Sequence, residues 1–405
     1  MLARAARPAG TRSLATEKRF SMQQLTFVGK GALEWRDARE PALQSAREAI
    51  VRPFVAARCD GDHLPLFNSV TTPINLGLAL HYLDPIVRDL FGVQPFRGPY
   101  AFGHECVAEV VACGSDVRNV KRGDTVIVPW SISCGHCVSC GHGLTSKCSN
   151  SGDTLIAAYG FGGAMGDWGG AVSDSLRVPY ADAMLVPVPA GVDPVALASA
   201  SDNIPDGWRT VAPHLQRYPG AHVLIVGGAA RSIGLYAAGI AVALGAARVD
   251  YLDRSRARLE IARSLGANPV QVPATGSWYR KNAPRRGGDY LISVDASASV
   301  AGLNFALRSL APGGICTGVG YYFAPKAALS LMQMYANCST LHVGISHPRA
   351  DLPPLLELMQ SGRFRPEKVT TLVADWDDAP RAFLERTTKV VVRRAPLDGA
   401  AAGAA

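Results

Sequence analysis

From Phe27 to about Leu185 the apolar residues gather in short β-type runs, among them residues 49–56, 106–112 and 125–129, broken by Gly, Pro and Asp turns. That punctuation predicts an irregular, mostly β, barrel-like domain. After Pro219 the period changes. A short apolar strand, His222–Val226, runs through a Gly-containing turn into a helix reaching Ala246, and a second strand, Arg248–Asp253, leads into an amphipathic helix from Ser255. Strands over 290–294 and 314–319 follow, with a helical stretch between them. Strands alternating with helices predict a parallel sheet covered on both faces, so the chain reads as α/β with two domains. A helix over 352–361 and β-type runs over 369–374 and 388–392 then return to complete the first domain.

Composition adds limits. The 405 residues are 48% hydrophobic and 18% charged, enough for two full cores. The longest apolar run, 232–247, is too short to span a bilayer and rich in Gly and Ala, so no membrane span is expected. Half of the net charge of +8 lies in the first 20 residues, with five basic residues against one acid, and the body carries no basic stripe with interleaved aromatics. Nucleic acid is therefore not an expected partner. Residues 1–21 read as a disordered extension ahead of a start at Met22, although an organelle transit peptide has the same Arg-rich, acid-poor character. The Ala/Gly-rich tail, 394–405, is expected to be disordered.

Four of the nine cysteines, Cys134, Cys137, Cys140 and Cys148, fall within 15 residues. Four soft ligands at these spacings fit a tight loop around a tetrahedral ion, with Gly135, Gly141 and Gly143 relieving the turns. Four thiolates leave no open coordination position, so the site is structural. An iron–sulfur cluster also takes four cysteines, but the surrounding sequence favours zinc. The absence of a secretory signal and the clustered thiols point to a reducing, cytoplasmic compartment.

The four-cysteine lobe, the segment Gly103-His104-Glu105-x2-Ala108-x5-Gly114-x2-Val117 and the later Gly123-Asp124-x-Val126 resemble the zinc-containing medium-chain dehydrogenase family. The resemblance spans roughly residues 22–393. It implies a GroES-like, mostly β catalytic domain over 22–203 and 345–393, with the zinc lobe at 130–150. It also implies a Rossmann domain, a doubly wound parallel sheet, over 204–344.

The same resemblance implies a second, catalytic zinc held by Cys59, His104 and Asp202, the last in Ser201-Asp202-Asn203-Ile204-Pro205-Asp206-Gly207. Two zinc ions per chain follow. Glu105 is read as a neighbour or transient ligand rather than a permanent one. Asp62 matches the family aspartate that would accept the second ring N–H of His104. Two departures stand out. Gly61 occupies the place where relatives carry the Ser or Thr whose hydroxyl starts a proton relay, leaving His63 or a water as substitutes. The 45-residue separation of Cys59 from His104 includes an insertion at about 64–98, apolar and aromatic enough for a packed helical lid or a subunit contact.

The cofactor signal lies in Gly227-Gly228-Ala229-Ala230-Arg231-Ser232-Ile233-Gly234, between a strand and a helix. Gly227 and Gly228 would let the backbone approach a pyrophosphate, the N–H groups of Ser232 and Ile233 would face the phosphates, and Arg231 would add a charge contact or reach solvent. Gly234 would let the helix pack close to the sheet. Asp253 closes the next strand, where an acid bonds both ribose hydroxyls and favours NAD over NADP; Arg254 beside it weakens that preference. Val319 is placed against the cofactor.

The expected activity is zinc-dependent hydride transfer between an alcohol, or an aldehyde or ketone, and NAD(H), in a homodimer or homotetramer. Two rival readings are a zinc-stabilised NAD-binding protein without turnover and an enone or quinone reductase of the same fold.

Overall fold

The computed structural model describes residues 21–273, 277–323 and 325–397. The extension at 1–20 and the tail from 398 lie outside the described residues. The start of the predicted tail is corrected: Arg394 donates to the Pro53 carbonyl at 2.9 Å, Ala395 accepts from Arg52 and Leu397 donates to Glu109, so residues 394–397 are tied to the first domain.

A six-stranded sheet, with its inner strands largely buried on both faces and its edge strands exposed, is ordered Asn268–Gln271, Arg248–Asp253, His222–Val226, Tyr290–Asp295, Leu310–Gly318, Thr340–Val343. All of its pairings are parallel. Helices Arg231–Ala243, Arg256–Ser264 and Val300–Arg308 make the connections. This is the expected Rossmann-like sheet, with its two central strands matching the apolar runs in the sequence.

A seven-stranded sheet builds the other half. Its path runs Leu372–Asp375, Val390–Arg393, Ala49–Ala57, Glu105–Cys113, Thr125–Val128, Val186–Pro187, with Leu176–Val178 also paired to Ala49–Ala57. Its pairings are antiparallel except that of the two C-terminal strands. A small sheet of Ala32–Arg39, Ser21–Gly29 and Tyr100–Ala101 flanks it. One apolar core crosses the two halves, joining Phe54 and Val107 to Val223, Leu235 and Leu355.

Helix Asn203–Arg217 links the halves and rests on helix Arg231–Ala243. A Cβ at Gly207 would stand 2.9 Å from the Ala237 nitrogen, so only glycine permits this approach. The contact fixes Asp202, at the start of the first helix, relative to the start of the second.

The insertion forms helices His63–Phe67, Thr71–Ala79 and Ile86–Phe91. Ile74, Val87 and Phe91 are buried in a satellite core with Trp130, Ile156 and Met165. The Asp84 N–H donates to the Phe323 carbonyl at 3.0 Å, so the segment reaches across to the loop after strand Leu310–Gly318. Among the described residues no helix is long and apolar enough to cross a membrane.

Candidate active site and metal centres

Cys134, Cys137, Cys140 and Cys148 bring their sulfurs within 4.8 Å of one another. Positive φ at Gly135 and Gly143 turns the loop, whereas Gly141 ends the short helix Val138–Gly141 in ordinary backbone, correcting its expected turn role. The donor set suits a thiophilic ion. The backbone N–H groups of Cys134 and Asn150 point at the Cys148 sulfur from 3.3 and 3.4 Å, and those of Cys137 and Cys140 at the sulfurs of Cys134 and Cys137 from 3.4 and 3.5 Å. Such donors favour thiolates, and the N–H of Cys140 is the main cause that lowers Cys137 to about 5.

Cys59, His104 and Asp202 form the second cluster, again with one ligand atom from each within 4.8 Å. Three chain segments meet here: the turn after strand Ala49–Ala57, the start of strand Glu105–Cys113 and the start of helix Asn203–Arg217. Cys59 Sγ lies 3.1 Å from Asp202 Oδ2, and His104 Nε2 lies 3.6 Å from the same oxygen. The Cys59 sulfur also receives N–H groups from Gly61 at 3.3 Å and from the Asn203 side chain at 3.1 Å. Burial first, and then the carboxylates of Asp202 and Glu105, push the Cys59 thiol well above its usual range. A cation among these groups reverses that balance. Thiolate, imidazole and carboxylate converging on one point match a three-ligand zinc site with an open fourth position.

A layer behind the cluster holds it. Ser346 donates to Asp202 Oδ1 at 2.5 Å while accepting from the Trp130 indole at 3.0 Å. Ser146, from the four-cysteine lobe, donates to the Ser346 carbonyl at 2.6 Å, which connects the structural loop to the Asp202 carboxylate. Glu105 is fully buried, accepts from the Asn203 N–H at 2.9 Å and pairs with the equally buried Lys389 at 2.6 Å. Lys389, Ser346, Asn203 and Trp130 were given no role by the sequence. For Asn203 its place next to Asp202 was an available signal; for Lys389, reached over 284 residues, there was none.

The cluster floors a cavity of about 530 Å³ lined by Trp130, Phe161, Tyr321, Phe323 and Ile345, and by Ala230, Arg231, Ile233 and Val319 from the nucleotide side. Phe161 stacks on His104, ring centres 4.8 Å apart.

Several expectations need correction. Asp62 Oδ1 stands 4.0 Å from His104 Nδ1, too far for a hydrogen bond, and its other oxygen accepts the Cys59 N–H at 3.0 Å. The His104 Nδ1 atom is buried with no partner. His63 lines the cavity but is unsuited to relaying protons: its Nε2 faces Arg58 at 2.9 Å and Arg231 at 3.3 Å, and burial followed by those cations lowers its pKa to about 2. Asp253 is 1% exposed and clamped by Arg258 through Nε at 2.7 Å and Nη2 at 2.6 Å, with Tyr251 and Ser255 as further donors, so it is not presented to a ribose; Arg254 is exposed. Gly228 packs against Ser297, where a Cβ would meet Cα at 2.6 Å, and a Cβ at Gly227 would stand 2.6 Å from the Asp253 carboxylate. The N–H groups of Ser232 and Ile233 donate to Asp60. A Cβ added at Gly234 would stand 3.1 Å from the Ala296 Cβ and 3.5 Å from the Tyr251 ring, the close helix–sheet contact expected of it.

Comparison with known proteins agrees with this architecture. Residues 76–190 match the alcohol dehydrogenase GroES-like domain, and residues 232–361 match the zinc-binding dehydrogenase domain. The chain belongs to the zinc-dependent medium-chain dehydrogenase/reductase family, as an alcohol dehydrogenase-like oxidoreductase. It is 28% identical, over 89% of its length and 84% of the relative's, to a protein of Mycobacterium tuberculosis named a probable zinc-binding alcohol dehydrogenase. A glutathione-independent formaldehyde dehydrogenase of Bacillus subtilis is 39% identical over 42% of each chain. The solved alcohol dehydrogenase of Thermus sp. ATN1 superposes with a TM-score of 0.73 at 26% identity, covering 92% of this chain and 99% of its own. Neither rival reading is favoured by these relatives.

Proposed function

We propose that this chain interconverts an alcohol and its aldehyde or ketone with a nicotinamide dinucleotide, at the cavity floored by Cys59, His104 and Asp202. The convergence of those three side chains carries the reading. A zinc ion bound by them would supply Lewis acidity to the substrate oxygen, and a nicotinamide ring the hydride acceptor or donor. Cys134, Cys137, Cys140 and Cys148 would hold the other zinc, giving two per chain.

The protein's own groups shape the remainder. Ser346 orients the Asp202 carboxylate, and Phe161 and Trp130 cover His104 and exclude water from it. The Tyr321 hydroxyl, on the wall beside Gly61, is a hydrogen-bond donor available to a substrate oxygen. The aromatic walls favour apolar, especially aromatic or unsaturated, alcohols over sugars. NAD is the proposed cofactor over NADP on the position of Asp253 at the end of strand Arg248–Asp253; to bond the ribose hydroxyls there, Asp253 would have to exchange its pairing with Arg258 for them.

Exposed Leu331, Met332, Tyr335 and Val343 lie near the open edge strand Thr340–Val343, the surface proposed for a homo-oligomer. A cytoplasmic location is proposed from the cysteines, all free in the described residues. The direct test is an assay of aromatic and aliphatic alcohols with NAD and NADP on protein of known zinc content. Turnover lost in His104→Ala, with dinucleotide binding retained, supports the site; full activity in that variant refutes it.

A further inference from the structure

The place where this fold receives a phosphate already holds an anion. Helix Arg231–Ala243 starts just past the C-terminal end of the central strand His222–Val226, and its 13 residues give it a full N-terminal set of free N–H groups. Those of Ser232 and Ile233 converge on a single atom, Oδ2 of Asp60, from 2.7 and 3.0 Å. Asp60 comes from the other half of the molecule, one residue after Cys59. It is 7% exposed, and its second oxygen, Oδ1, is buried without a hydrogen-bond partner.

The surroundings fix that carboxylate. The Asp60 N–H donates to Asn203 Oδ1 at 3.1 Å, and the same oxygen receives the Ser232 hydroxyl at 3.1 Å and Lys389 Nζ at 2.8 Å. Asn203 thus joins the Cys59 turn, the nucleotide helix and the buried Glu105–Lys389 pair. A dinucleotide phosphate needs the N–H groups that Asp60 occupies, and a phosphate brought beside Asp60 meets a like charge in a poorly hydrated pocket.

We propose that Asp60 is an intramolecular competitor of the cofactor pyrophosphate: it latches the Cys59 turn to the N-terminus of helix Arg231–Ala243, and a dinucleotide must displace it to use that helix end. The inference rests on reading the groove as a dinucleotide site. Arg231 and Arg386, which line the same cavity, are the cations facing an incoming phosphate while the latch opens. Cofactor entry is then coupled to movement of the turn that carries Cys59.

The test is a fluorescence titration of the zinc-loaded protein with NADH, ADP-ribose and adenosine, for wild type, Asp60→Asn and Asp60→Ala. Asp60→Ala is expected to bind NADH and ADP-ribose about tenfold tighter than wild type. Adenosine, which has no phosphate, is expected to bind all three proteins alike. Asp60→Asn keeps an oxygen that accepts the two N–H groups and so protects the fold; its affinity is expected to fall between the others. Unchanged or weaker NADH binding in both variants overturns the latch while leaving the dinucleotide reading in place. An equal gain for adenosine also overturns it, as that marks a general opening of the cleft. Failure of every protein to bind NADH or NADPH overturns the dinucleotide reading and the latch together.

Discussion

The Tyr321 hydroxyl stands 3.1 Å from the position a Cβ would take on Gly61, so the space left by the missing side chain is filled by a phenol from the opposite half of the molecule. The relationship answers the departure at Gly61: a hydroxyl is present, carried by a different residue. Phe91 of the insertion meets the Tyr321 ring edge-on with centres 5.7 Å apart, which helps hold it there. Desolvation, then the nearby Cys59 and Asp202, push the phenol above its usual range, so it serves as a donor. Tyr321→Phe is expected to lower kcat/KM for alcohol oxidation by about tenfold with dinucleotide affinity unchanged, and Gly61→Ser added to it to recover part of the loss. Steady-state kinetics with a cofactor titration check this; unaltered kcat/KM in Tyr321→Phe removes the role.

Among the described residues, Ser346 is the only hydrogen-bond donor to Asp202 Oδ1. Ser346→Ala leaves that oxygen without its orienting contact, and zinc affinity at the Cys59 cluster is expected to fall by about 10- to 100-fold. The four-cysteine site keeps its ion. Metal release against a graded chelator, followed at the two sites, distinguishes this from general loosening, in which both sites lose zinc together.

Lys389 and Glu105 form an ion pair with both side chains fully buried. Lys389→Met leaves Glu105 charged and unpaired, and a loss of about 3–5 kcal/mol of stability is expected from denaturant unfolding. Adding Glu105→Gln should recover part of that loss. A Lys389→Met protein as stable as wild type contradicts the pairing.

Phe161 lines the reactive cavity and also a second one of about 350 Å³, walled by Phe91, Phe96 and Tyr100. Phe161→Ala joins the two spaces. KM for bulky aromatic alcohols is expected to fall severalfold relative to that for short aliphatic ones, as measured by paired kinetics across a size series. An unchanged ratio shows that the second cavity is not used by substrate.

What the sequence discloses, and what it hides, follows the range of the interactions. His222–Val226 is legible because a strand buried on both faces reads as an apolar run, and Arg248–Asp253 because it follows one helix and leads into the next. The four-cysteine lobe is legible because all its donors lie within one loop. Cys59, His104 and Asp202 are far apart in sequence, and only the resemblance to a family groups them. The assignments hidden from the sequence are those in which another residue takes the contact. Asp253 has the right position for a ribose, but Arg258, five residues on, claims both of its oxygens. Ser232 and Ile233 have the right N–H groups for a phosphate, but Asp60 claims them across 172 and 173 residues. Ser346 and Lys389 act through tertiary contacts that leave no periodic trace.

The central claim is that Cys59, His104 and Asp202 share an ion distinct from that of the cysteine lobe. Zinc per chain, measured on wild type and on His104→Ala by elemental analysis, tests it most directly: two ions falling to one, with the fold and NADH binding retained, is the predicted result. One ion in both proteins would contradict it.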